Sequence, residues 1–269
     1  MSKAAICIGL AALLAQAAQV QAADILPPAP SLDSPALRGR FEADSGAYLR
    51  VDAGFGQLRP RNPSSTFSSP QPTVLREATR LDQAGLLGIG VGYQFNEFVR
   101  ADVTGEYRGS ANYSARASYV DGANCGAARC ADAYAGALRG AALMGNVFGQ
   151  IGSWFDVTPY VGLGLGFARN SFAPLHLAAG NGHDAGQTPE VTQIRPAFAL
   201  MAGGAWDLSS SVKIDAGYRY MMLGSALSGA MSCTPATGPC AGQVQRTGLA
   251  SHDLRIGLRY GLAQGPFRH

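Results

Sequence analysis

Eight separate stretches of this 269-residue chain alternate in side-chain polarity with period two, which confines it to a β architecture. The stretches are 46–58, 85–95, 98–108, 139–149, 158–169, 191–206, 211–223 and 249–262. In the first, Leu49, Val51, Ala53 and Phe55 share one face, with Arg50 and Asp52 on the other. In the fifth, Val161, Leu163, Leu165 and Phe167 oppose Gly162, Gly164 and Gly166. The sixth is ambiguous in phase, because Pro196 disturbs it. Connections alternate between long (59–84, 109–138, 170–190 and 224–248) and short (96–97, 152–157 and 207–210). Four long connections are unusual in a compact soluble domain. Their alternation with short turns is the loop pattern of a membrane-spanning barrel.

Alternation alone does not say which face is the core. In a soluble sandwich the apolar face is internal; in a membrane barrel it meets lipid and the polar face is enclosed. The polar face here mixes charge signs in clusters: Arg50 and Asp52; Arg100, Asp102, Glu106 and Arg108; Lys213, Asp215 and Arg219; Asp253, Arg255 and Arg259. Such a face can neutralise itself across strands, as a narrow interior requires. Gly88, Gly90 and Gly92, like Gly162, Gly164 and Gly166, lie on that same face, where they give long arginines room. Tyr93, Phe95, Tyr107, Trp154, Phe155, Tyr160, Trp206 and Tyr260 fall near segment ends, as interfacial aromatic girdles do. Composition agrees. Only 14% of residues are charged, against about 25% in soluble domains. Nineteen of the 21 basic residues are arginine, which suits buried, multiply bonded pairs. A net charge of +3 argues for no nucleic-acid partner.

The ends read differently. Residues 1–23 carry Lys3, an apolar run and a small-x-small site at Val20-Gln21-Ala22, the order of an export signal. Residues 24–45 form a Pro-rich periplasmic leader, 46–262 the barrel and 263–269 a C-terminal tail. In an exported chain the remaining cysteines are expected as two local disulfides, Cys125 with Cys130 and Cys233 with Cys240. Zinc is the alternative, at spacings that fit it poorly.

Five runs carry a family likeness: Ala22-Ala23-Asp24 with Leu26-Pro27-Pro28; Gly46-Ala47-Tyr48-Leu49-Arg50; Pro159-Tyr160-Val161-Gly162-Leu163-Gly164; Ala216-Gly217-Tyr218-Arg219-Tyr220; and His252-Asp253-Leu254-Arg255-Ile256-Gly257-Leu258-Arg259-Tyr260. In that order they resemble the small outer-membrane β-barrel proteins of Gram-negative bacteria: OmpA-like transmembrane barrels, opacity proteins and alphaproteobacterial surface antigens. The resemblance implies an all-β, eight-stranded antiparallel up-and-down barrel in the outer membrane, with both termini in the periplasm. It also implies outer-membrane lipid and the barrel-assembly machinery as partners. Members usually end on an aromatic residue; here the last alternating stretch closes near Tyr260 and residues 261–269 follow, with Phe267 as the other candidate signal.

Nothing in the chain reads as catalytic. The glycine alternations continue through strands and open no helix, as a nucleotide loop would. Ser251, His252 and Asp253 are neighbours whose side chains alternate in direction, so they form no relay among themselves. No cofactor and no metal site are expected. The expected role is structural: envelope integrity, plus adhesion or antigen-type contact with host or cell-surface ligands through the long loops. A narrow porin-like channel is the alternative, and a lipid-modifying enzyme comes third.

Overall fold

The computed structural model describes residues 45–66, 75–120, 129–153, 156–178, 185–234 and 241–262. They form β1 (Gly46–Thr66), β2 (Leu75–Leu81), β3 (Gln83–Gln94), β4 (Val99–Val120), β5 (Arg129–Gln150), β6 (Val157–Phe172), β7 (His176–Ala178), β8 (Ala185–Gln187), β9 (Val191–Asp207), β10 (Val212–Leu227), β11 (Ser232–Thr234) and β12 (Val244–Gly261). Eight long strands close a ring in the order β1, β3, β4, β5, β6, β9, β10, β12, each antiparallel to its neighbours. Closure is between β12 and β1, where Arg50 is opposite Arg259 and Phe55 opposite Leu254. The ring leaves no open edge, as hydrocarbon demands of a spanning sheet. The expected signal peptide, the leader up to residue 44 and the tail lie outside the described residues.

The apolar face is outside. Val51, Ile89 and Leu163 are 55%, 68% and 57% exposed, while Arg100 and Asp253 are fully buried. On β4 the outward apolar series runs from Val99 to Tyr107, nine residues, near the roughly 9–11 a tilted strand needs to cross a bilayer. Short turns and both ends of the ring, Gly46 and Gly261, lie at one end of the barrel; the long connections lie at the other.

The long connections differ from their expectation, because much of what reads as loop is strand. β1 continues to Thr66, β4 to Val120, β5 begins at Arg129 and β12 at Val244. β2 adds to β4, and β7, β8 and β11 stack outward from β5. This part obeys the opposite rule to the belt. On β4, Thr104, Glu106 and Arg108 point inward, and beyond a bulge between Arg108 and Ala111 the inward set becomes Ala111, Tyr113, Ala115 and Ala117. One extra residue inverts the phase of every later side chain. A second irregularity, between Met222 and Gly224 on β10, turns Ala226 inward; Gly224 there has φ of 77°, a conformation glycine adopts without strain. Inside this outer half lies an apolar core that includes Leu58, Tyr113, Tyr134, Leu138, Phe172 and Leu249. Tyr113 meets Phe172 edge-on at 5.1 Å. Away from the belt water lies outside the wall, so greasy residues turn inward as in any soluble protein.

Candidate functional site

The lumen at belt level is the site that the sequence points to. Six arginines, Arg50, Arg100, Arg108, Arg219, Arg255 and Arg259, face five carboxylates, Asp52, Asp102, Glu106, Asp215 and Asp253. They come from β1, β4, β10 and β12, and each projects inward because it shares the parity of its strand's inner face.

Two linked clusters fill the space. Nearer the short turns, Arg50 holds Asp52 at 2.6 Å and Asp102 at 2.7 Å. Asp102 also accepts from the Tyr48 hydroxyl at 3.0 Å and from Asn146 Nδ2 at 2.7 Å. Arg259 donates to both oxygens of Asp215, at 2.6 and 3.0 Å. Nearer the long connections, Arg219 donates to Glu106 at 2.7 Å and to Asp253 at 2.7 Å. Arg108 joins the same carboxylates, with Asp253 at 2.6 Å and Glu106 at 3.0 Å. Arg255 ties the clusters together, 3.0 Å from Asp52 and 3.8 Å from Glu106.

Arg100 is held differently. Its nearest carboxylates, Asp102 and Asp215, are both 3.8 Å away, while its guanidinium stands 3.9 Å over the Phe148 ring and 4.9 Å from Tyr160. Among the described residues Arg100 is the buried cation whose charge rests mainly on aromatic faces. Phe148 and Tyr160 pack edge-on at 5.6 Å, forming that platform. Glycines supply its room. A methyl on Gly162 would reach to 2.5 Å of Phe148, and one on Gly92 would overlap the Tyr48 ring. The space left between the clusters and the platform is about 20 Å³, near the volume of one water.

Three sequence expectations need correction. Lys213 is not in the network. It sits at the mouth, a quarter exposed, and pairs with Asp207 at 3.2 Å on the adjacent strand. Tyr160 is not a girdle residue but faces inward, as its parity with Gly162 requires; Tyr93, Phe95, Tyr107, Trp206 and Tyr260 do face outward. The glycines of β6 make room for Phe148, Asn146 and Met144, not for arginines. Asn146 faces inward, as its place opposite Leu143 and Val147 implies, whereas the inward roles of Tyr48 and Phe148 escaped the sequence reading although each has the parity of an inward neighbour. Trp154 and Phe155 lie outside the described residues. So do Cys125 and Cys240, whose expected partners Cys130 and Cys233 are buried. Neither of those two is free.

Residues 8–261 match the family described as outer membrane protein beta-barrel domain. An uncharacterized protein of Brucella suis biovar 1 is 28% identical over 95% of this chain and 97% of its own length, and an uncharacterized protein of Brucella abortus matches equally. Among solved structures, the outer membrane protein OprG from Pseudomonas aeruginosa has a TM-score of 0.52 at 13% identity, over 82% of this chain and 100% of that one. Neisserial surface protein A covers the same shares at a TM-score of 0.45 and 16% identity.

Proposed function

Since the chain belongs to the outer membrane protein β-barrel domain family and resides in the outer membrane, we propose that it is a structural wall protein that presents its long-connection end to the cell's surroundings. The observation that carries this reading is a lumen filled at two successive levels. Salt-bridged arginines and carboxylates occupy the belt, and an apolar core occupies the outer half. A barrel of eight strands is just narrow enough for side chains to fill. The extended strands carry the described wall beyond the belt on that side, which suits contact with another surface in adhesion or antigen fashion.

The experiment is cell binding by vesicles that carry the refolded protein. The reading expects binding to fall when residues 67–74, 121–128, 179–184 and 235–240 are exchanged together for short polar linkers. Unchanged binding counts against surface contact. A narrow channel is the second reading, favoured by Arg255, which lines the small lumen cavity and whose Nη2 is ion-paired with Asp52 but makes no hydrogen bond among the described residues. Planar-bilayer conductance after verified insertion separates the two. For the enzyme reading, the test is mass spectrometry of lipid A from cells with and without the protein.

A further inference from the structure

We propose that the outer wall of β12, β1, β3 and β4 holds one phosphorylated glycolipid of the outer leaflet, acyl chains in a groove and phosphate on Arg59 and Arg61. The groove is an indentation of about 680 Å³ in the lipid-facing belt, floored by Ala53 and Gly85 and rimmed by Phe55, Leu87, Tyr107 and Leu254. Its volume lies within the roughly 300–1,000 Å³ of small-molecule sites. A methyl placed on Gly85 meets nothing within 4 Å, so the floor is open.

The groove is capped by charge at the end where a headgroup lies. Beyond Phe55 the outward face of β1 continues with Gln57, Arg59 and Arg61, toward the long connections and therefore toward the outer leaflet. Arg59 and Arg61 are exposed and sit two residues apart on one face, a separation of about 7 Å. On the adjacent strand Arg246 is exposed two positions from Gly248, the residue opposite Arg61, which is the diagonal spacing of about 7–8 Å.

Three like charges so placed repel one another, and among the described residues none of the three forms an ion pair with a carboxylate. Asp82, between β2 and β3, accepts from Asn112 Nδ2 at 3.1 Å. Arg61 reaches across Gly248 to the Met222 sulfur at 3.6 Å, a weak acceptor that a phosphate oxygen would displace. Outward Arg139, by contrast, is matched by Glu190 at 2.7 Å. Charge without a carboxylate partner thus stands over the groove. Guanidinium forks suit phosphate oxygens, and the acyl chains continue into the groove below. This inference rests on the barrel's orientation and not on the surface-contact reading, so the two fail separately.

The test is native mass spectrometry of the detergent-solubilised full barrel with diphosphoryl lipid A, with heat-modifiable gel migration as the check that each variant has folded. The expected result is one lipid A per barrel. Its apparent affinity should fall about thirtyfold in the double variant Arg59→Gln/Arg61→Gln, from roughly fivefold per arginine near a membrane surface. Affinity should also fall in Gly85→Leu, which fills the floor, and stay unchanged in Arg116→Gln, whose arginine is exposed farther along β4. If Gly85→Leu does not fold, the arginine variants decide. Equal retention by all variants overturns the proposal, as does equal retention of phosphatidylglycerol or a lipid-free dimer of barrels.

Discussion

Asp253 accepts from Arg108, Arg219 and the Ser251 hydroxyl at full burial. Replacing it by alanine leaves two buried guanidiniums to share Glu106, and stability should fall by about 3–5 kcal/mol, the penalty for an uncompensated buried charge. Urea titration of folding in phospholipid vesicles measures it. On the opposite face, Leu163→Arg should cost roughly 2–4 kcal/mol in the same assay, because an arginine near the bilayer midplane loses its water. A neutral result there contradicts the face assignment. Eleven of the twelve charges expected inside are inside, because alternation fixes direction once one residue of a strand is placed. Lys213 escaped because parity says nothing of depth along the strand, and depth decides between lumen and mouth. Tyr160 was misjudged for the reverse reason: its aromatic character suggested the rim while its parity pointed inward.

Among the elements, β4 holds the clearest switch. Its inward set is even-numbered up to Arg108 and odd-numbered from Ala111. Deleting Gly109 and Ser110 together removes the bulge and one further step of the alternation, so that Tyr113 and its neighbours point outward. The outer half should then lose its apolar core while the belt persists. Trypsin should cut at Arg116 in vesicle-embedded protein that still migrates as a folded barrel, whereas the parent resists. Equal resistance contradicts the register. The alternation of Ser110, Asn112, Ser114 and Arg116 against Ala111, Tyr113, Ala115 and Ala117 was present in the sequence. It read as loop because alanines and serines carry little contrast, and because an inverted phase looks like the end of a strand. The turns at 95–98 and 208–211 were legible because a sharp polar break separates two strong alternations.

At the scale of the whole molecule, two solvents set the design. Where hydrocarbon surrounds the wall, charge is enclosed; where water surrounds it, apolar side chains are. The filled lumen predicts silence in planar bilayers after verified insertion, and steady unit conductance would favour the channel. The expected Cys125–Cys130 and Cys233–Cys240 bridges predict, in peptide mapping without reductant, two peptides each closed on itself; crossed pairs contradict the local pairing. The inside-out wall itself is tested most directly by nitroxides attached singly at Ile89, Val103 and Leu163, three outward belt positions on β3, β4 and β6. Collision with dissolved oxygen should be high and collision with a water-soluble nickel complex low at all three in vesicles. Ready access for the nickel complex would contradict the account.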